Sequence, residues 1–404
     1  MRSSLLKGEP LKGVRPARKR LPPGPGSSLT KHLGVQEVEN CPAIGSTVIV
    51  PEDTSKVKHF LRQKINDQLD IQPLVISYKE VKVMSKAIEQ ARTNTNINFK
   101  ALINFFAKYY LVFTLLVLII TGSVLSDKFL MTRNIVNVLL QNSIMTIISM
   151  GMLFTIITGG IDLSVGSIVA LSGCLVAGFI QGGMSIFQAT FISLLLMSLI
   201  GLCSGILVSY GKIAPFIVTL AMMTIVRGMA YIYQVGADRR IDGTALPEII
   251  NSNVGIVPVP VIVMAIIVVI AGFILEKTTF GRGVYAIGGN VETARLAGIN
   301  VNLHLILVYI ISAVLAALSG IILAGRLSMG TALVGQGFEL DAIAAVVVGG
   351  ASLSGGTGTV VNTLMGAFII GILANIMNLL GIAAYPQMII KGIIIIAAVL
   401  IRKE

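Results

Sequence analysis

The sequence predicts an all-α polytopic membrane protein of about ten transmembrane helices, one of them short. Three observations predict it. The 404-residue chain has a mean hydropathy of +0.87 and only 12% charged residues, against about 25% in an ordinary soluble domain. From about residue 105 to the end, apolar runs follow one another almost without interruption. Most of these runs approach the roughly 20 residues that a helix needs to cross a hydrocarbon core of about 30 Å.

That ruler places the first four spans near residues 108–126, 135–157, 163–181 and 187–209. The second and third are parted by the small loop Gly159-Gly160-Ile161-Asp162-Leu163-Ser164-Val165-Gly166. The fifth and sixth, near 213–234 and 257–275, precede a stretch rich in Gly, Arg and Asn from Glu276 to His304. The seventh follows near 303–325, and the ninth and tenth near 359–381 and 385–401. The eighth, near 341–350, is too short to cross and is read as a broken or re-entrant helix. Such a helix is tolerated only where protein or a water-filled cavity covers its backbone. Ten spans put both termini on one side, together with Lys277, Arg282, Arg295, Arg402 and Lys403. Excess Lys and Arg mark the cytoplasmic side, although Lys128, Arg133, Arg239, Arg240 and Arg326 then fall outside.

Residues 1–104 form a polar, basic N-terminal extension, distinct from a membrane domain over 105–404. Before residue 101, Lys and Arg number 17 against 9 Asp and Glu. This accounts for most of the pI of about 9.7. Pro22-Pro23-Gly24-Pro25-Gly26 resists regular structure, and Arg15-Pro16-Ala17-Arg18-Lys19-Arg20 is either a solvated tail or a contact for anionic lipid. Residues 54–92 could form a small helical or mixed unit to which no function attaches. Residues 1–40 hold no apolar core, so no cleavable secretory signal is expected. A basic excess can also mark nucleic-acid binding, but the membrane reading accounts for it and no nucleic-acid partner is expected.

The same residues exclude several chemistries. Three cysteines occur without a C-x-x-C, and the three histidines are His32, His59 and His304, so no metal site is expected. Gly211-Lys212-Ile213 lacks the glycine five positions earlier and the following Ser or Thr that a phosphate loop needs. Gly281-Arg282-Gly283-Val284-Tyr285-Ala286 fits G-x-G-x-x-A, but a membrane helix precedes it instead of the strand of a dinucleotide fold. Neither G-x-S-x-G nor H-E-x-x-H occurs. The expectation is a transporter subunit without catalytic residues, cofactor or ATPase site of its own, with any ATP bound by a separate subunit.

Candidate residues for the translocation path are Asp162, Ser164, Arg227, Glu339 and Asp341. An ionisable group at membrane depth costs about 2.5–3.5 kcal/mol on insertion scales and so faces water or a partner. Asp162 either lines the path or caps the helix that begins at Leu163. Arg227, inside the fifth span, either braces backbone carbonyls or pairs with Asp162, Glu339 or Asp341. Glu339 and Asp341 guard an external gate or cap the short eighth helix, and Lys391 is placed to snorkel toward the interface. Between the sixth and seventh spans, Gly281, Arg282, Gly283, Gly288, Gly289, Asn290, Arg295 and Gly298 form a candidate docking element. Its segment Glu292–Gly298 reads as a short helix whose Ala and Gly side presses into a partner's groove. The pattern Gly159-Gly160-x-x-Leu163-Ser164-x-Gly166 recurs 190 residues later as Gly349-Gly350-x-x-Leu353-Ser354-x-Gly356. This hints at two related halves.

Several of these stretches together carry a family resemblance. Gly160–Ser167, Ile287-Gly288-Gly289-Asn290, Arg295–Val301, Glu339–Val347 and Gly349–Leu353 occur in the order found in permease subunits of bacterial sugar ABC importers. The ribose importer permeases resemble it most, with xylose, arabinose, galactoside and autoinducer-2 permeases alongside. The resemblance spans about residues 105–402 and leaves the N-terminal extension out. It implies ATP-driven monosaccharide uptake across a bacterial cytoplasmic membrane by a homodimeric or heterodimeric permease core. It also implies an extracytoplasmic solute-binding protein outside and an ATPase inside, docked on a coupling loop over about 276–303. Two rival expectations are an ion-gradient-driven secondary transporter and a related permease for a branched-chain amino acid or nucleoside.

Overall fold

A computed structural model describes residues 109–401. The N-terminal extension, His32, His59, Cys41, Arg402 and Lys403 lie outside the described residues.

The helices are α1 (Tyr110–Leu125), α2 (Thr132–Ile157), α3 (Val165–Gln181), α4 (Ile186–Ser209) and α5 (Pro215–Gln234). A short α6 (Ala245–Ile250), α7 (Val259–Lys277), α8 (Thr279–Gly289) and α9 (Val291–Leu296) follow. The long α10 (Val301–Leu327), then α11 (Phe338–Val348), α12 (Val360–Leu379) and α13 (Ala384–Ile401) complete the order. Each of the ten apolar runs read from the sequence coincides with one of these helices. Six of them (α2, α4, α5, α7, α10 and α12) are long and apolar enough to cross a membrane. The apolar α1 and α3 are shorter, at 16 and 17 residues. At about 1.5 Å per residue, the 11 residues of α11 cover only about half a bilayer core.

The centre of the molecule is built from α2, α3 and α10. Every residue from Asn142 to Ile157 is buried or nearly so, as is most of α3. Small residues allow this density. On α4, Gly201 and Gly205 stand one turn apart against the α10 backbone at Tyr309, Ile310 and Ile306. This is the small-xxx-small contact by which membrane helices approach closely. On α10, Gly320 faces Val169 and Ser172 of α3 in the same way. The outer surface is the inverse. Phe187, Ile232, Val269 and Phe273 expose 62–80% of their area, an apolar surface that water would penalise and lipid does not.

Polar residues at helix ends are paired. Asn134 on α2 and Asn375 on α12 exchange amide hydrogen bonds at 2.8 and 3.0 Å. Two minimal ribbons tie loops together: β1 (Arg239–Arg240) pairs antiparallel with β4 (Met329–Gly330), and β2 (Asn253–Val254) with β3 (Val257–Pro258). Arg239 also stacks over Tyr233, 4.5 Å from the ring centre, and donates to the Tyr233 carbonyl. Arg239, one of the arginines that violate the sequence charge bias, therefore latches the ends of α3 and α5 through Gln181 and Tyr233.

Candidate functional site

Two irregular segments interrupt the helical core, and they meet at the start of α3. The first, 158–164, leaves α2 through Gly159, whose φ of +79° is the left-handed conformation that glycine adopts without penalty. Its backbone is held inside the protein. The Gly160 amide donates to the Thr155 carbonyl at 3.0 Å, and the Thr219 hydroxyl of α5 donates to the Ile161 carbonyl at 3.0 Å. Irregular backbone at such depth survives only when its polar groups are satisfied this way.

Asp162 is 1% exposed and anchors this segment. Its Oδ1 accepts from the Ser164 amide at 3.0 Å and the Ser164 hydroxyl at 2.6 Å, and its Oδ2 accepts from Ser312 Oγ at 2.7 Å. Ser312 lies 11 residues into α10, about 16 Å along its axis. The helix begins at Val165, and Asp162 closes a tight turn before it instead of capping amides inside the first turn. Asp162 therefore clasps the start of α3 to the middle of α10, and Ser164 completes the clasp. Beside it the Tyr309 hydroxyl is buried without a hydrogen-bond partner among the described residues, close enough to Gly160 that a Cβ there would collide with it.

The second irregular segment, 331–337, descends from β4 to α11. Arg227 holds it by donating from Nη1 to the carbonyls of Ala332 at 2.7 Å and Val334 at 2.6 Å. The brace reading of Arg227 thus describes its contacts. Its guanidinium bonds carbonyls, and neither Asp162 nor Asp341 is a partner. Gly335 packs on Gly166, and the Glu339 carboxylate also lies against Gly166 in the first turn of α3. A negative group is favoured at that positive helix end. Asp341 stands apart from this cluster. Its Oδ2 takes Lys391 Nζ of α13 at 2.8 Å, so Lys391 turns inward to a carboxylate instead of snorkelling outward. Asp162, Ser164, Arg227 and Glu339 converge around one helix start; Asp341 belongs to the α11–α13 contact.

The candidate docking element is α8–α9. Thr278 caps α8 by accepting from the Gly281 amide at 3.1 Å, and Asn290 caps α9 by accepting from the Thr293 amide at 2.9 Å. Gly298, at φ +81°, ends the element. Gly281 packs on the carbonyls of Ile274 and Leu275, and Gly283 on the His304 ring, so the G-x-G-x-x-A glycines serve helix packing. The small residues of this segment are divided: Ala294 is buried with Ile287 and Val301, while Ala297 and Gly298 are exposed. The outward side carries Val291, Glu292, Arg295 and Leu296, the last 88% exposed. Arg282 and Gly289 are also exposed.

This element is joined to the Asp162 segment backbone to backbone. Gly288 packs on the Ile157 carbonyl and the Gly356 amide, and the Gly356 amide donates to the Ile157 carbonyl at 2.8 Å. Tyr285 Oη adds a 2.7 Å bond to the Gly358 carbonyl. Burial, reinforced by the Glu276 charge, raises the Tyr285 pKa, so the hydroxyl stays a donor. The two copies of the Gly-Gly motif thus touch, but they are not equivalent. The left-handed residue is the first of the pair in one copy, Gly159, and the second in the other, Gly350 at φ +92°.

Residues 134–399 match the family described as branched-chain amino acid transport system / permease component. The chain belongs to this permease family. The permease is 43% identical over 300 residues to the ribose import permease protein of Bacillus subtilis, covering 72% of this chain and 91% of the relative. It is also 43% identical over 295 residues to the ribose import permease protein of Escherichia coli, with 72% and 92% covered. The D-allose transport system permease protein of Escherichia coli is 38% identical over 301 residues, with 73% and 91% covered. No solved structure matches the chain. The resemblance drawn from the ordered motifs is borne out, and with six long apolar helices this permease is a multi-pass membrane protein.

Sequence reasoning missed Ser312, which completes the Asp162 clasp, and Tyr309, which lies beside it. A serine and a tyrosine at i and i+3 within an apolar span were the only available signal, and Ser319 extends that face.

Proposed function

We propose that the chain is the permease of an ATP-driven importer of a monosaccharide of the ribose type, in a bacterial cytoplasmic membrane. The observation that carries this reading is the 43% identity to ribose import permeases over nine-tenths of their length. The chain crosses the membrane about ten times, counting the short α11, with both termini in the cytoplasm. Residues 105–404 are the transport unit, and residues 1–104 are an appendage to it. Two permease copies, or two related chains, enclose the path. A solute-binding protein delivers the sugar outside. A separate subunit binds ATP inside, and no cofactor belongs to the permease itself.

In this mechanism α9 docks on the ATPase through Glu292, Arg295 and Leu296. Movement of α8–α9 passes through Gly288 to Ile157 and the segment that carries Asp162. Displacing that segment opens or closes the clasp with Ser312 and the brace from Arg227 to the 331–337 loop. The experiment is uptake of labelled ribose into proteoliposomes holding the chain, its ATPase and its binding protein. Uptake that persists without the ATPase, or stops on collapse of the ion gradient at constant ATP, overturns the reading. The family's description favours one second reading, a branched-chain amino acid as solute. Leucine uptake exceeding sugar uptake in the same vesicles would select it.

A further inference from the structure

Beside the docking element lies a cavity of about 670 Å³ that shares Glu292 and Arg295 with it and whose interior no step of the transport mechanism uses. It sits where α4 ends, α5 begins, and α9 and α10 begin, with Ser209, Tyr210, Lys212 and Arg295 among its walls. We propose that this cavity binds the phosphate headgroup of an acidic phospholipid.

Three observations point to such an amphiphile. The first is charge. Lys212 forms no ion pair among the described residues, and Arg295 is paired with Glu292 at 2.7 Å, so the walls keep one uncompensated cation. The second is an unused polar group. Ser209 is 7% exposed, lines the cavity, and its hydroxyl has no hydrogen-bond partner among the described residues. A phosphate oxygen would satisfy it, and buried polar groups are rarely left unsatisfied. The third is the flank. Leu207, Ile213, Phe216 and Ile217 expose 36–59% of their area on α4, α5 and their connection, a strip for acyl chains leading from a pocket whose remaining walls are apolar except for Asn302 and for Glu292, the carboxylate that Arg295 engages. Helix ends from α4, α5 and α10 set the cavity at the level where a bilayer's headgroups lie. The lipid ties α9 to the α4–α5 corner, so headgroup chemistry acts on the docking element.

The chain contains no tryptophan, which gives a clean test. With the full chain in phosphatidylcholine vesicles, Tyr210→Trp places a single fluorophore in the cavity wall. Brominated phosphatidylglycerol is expected to quench it at a several-fold lower mole fraction than brominated phosphatidylcholine. Lys212→Gln in the same background should cut that preference by about five-fold, the usual worth of one lysine near an anionic lipid. Lys128→Gln, at the connection between α1 and α2, should leave it unchanged. Equal quenching by the two lipids, or a preference untouched by Lys212→Gln, overturns the proposal. Relief of quenching by millimolar inorganic phosphate also overturns it, because the site would then take a soluble anion. Native mass spectrometry of the unsubstituted chain, comparing retained phosphatidylglycerol with phosphatidylcholine, asks the same question without any substitution; equal retention overturns the proposal.

Discussion

Gly288 and Gly289 are adjacent in α8 and look alike in the sequence, yet they predict opposite outcomes on substitution by alanine. A Cβ on Gly288 would fall inside van der Waals contact of the Ile157 carbonyl and the Gly356 amide, both backbone atoms that no rotamer change can move. A Cβ on Gly289 meets nothing within 4 Å. Overpacking of this kind costs about 1–3 kcal/mol. Helix propensity returns up to about 1 kcal/mol when glycine becomes alanine, less near a helix end. The net expectation for Gly288→Ala is a loss of about 1–2 kcal/mol, a factor of about five to thirty in the folded equilibrium. Gly289→Ala should be neutral or slightly stabilising. The assay pairs thermal unfolding in detergent with ATP-driven uptake in proteoliposomes. Gly288→Ala should unfold earlier and lose uptake more than it loses folded protein, because the obstruction lies on the route from α8 to Asp162. If the two variants behave alike in both measurements, the backbone junction is not where the two elements communicate.

Three further predictions follow from individual contacts. Arg295→Glu reverses an exposed charge paired with Glu292, at side-chain exposures of 56% and 72%, so stability should change by under about 1 kcal/mol. Uptake should nonetheless uncouple from ATP hydrolysis, and normal coupled uptake would remove Arg295 from the docking surface. Ser312→Ala strips Asp162 Oδ2 of its donor while leaving the Ser164 bonds intact. The expected cost is about 1–3 kcal/mol, read as earlier thermal unfolding, with Ser312→Thr recovering part of it. Lys391→Met and Asp341→Asn should each destabilise more than the double variant does, since each alone leaves one half-buried charge unpaired. Simple additivity in that double-mutant cycle would mean the pair is not formed.

Periodicity and length made the scaffold legible, and the errors follow from polarity. The second span is read from residue 135 but begins at Thr132, because Arg133 and Asn134 look like loop; Asn375, 241 residues away, satisfies Asn134. The seventh is read as 303–325 and runs from 301 to 327, with Asn302, His304 and Arg326 inside the helix. The members of the candidate site stand out in the sequence, and their pairings do not. Asp162 and Arg227 stand out in any apolar chain by their cost in lipid. Nothing local indicates that Asp162 meets a serine 150 residues on, or that Arg227 bonds the carbonyls of Ala332 and Val334. The small residues near α9 divide for a related reason. Small residues mark close packing, but the sequence does not say whether the neighbour is the same chain or another: Ala294 serves the chain's own core, and Ala297 and Gly298 stay exposed.

The arrangement also bears on why the route inward from α8 is made of glycine and carbonyl groups. A side-chain contact between α8 and the 158–164 segment would yield by rotamer change, and a displacement of α8 would dissipate there. A glycine lying directly on a carbonyl has no such slack, so motion of one backbone must move the other or break the Gly356–Ile157 bond. Packed interiors respond by switching between discrete arrangements rather than by bending. The Asp162 clasp supplies a natural pair of states, with Ser312 engaged or released. In the engaged state Asp162 is closed off by three hydrogen bonds and presents no oxygen to a passing solute. In the mechanism proposed above Asp162 acts through the opening of the clasp, and a variant that keeps the carboxylate but removes Ser312 separates that role from the chemistry of the carboxylate itself.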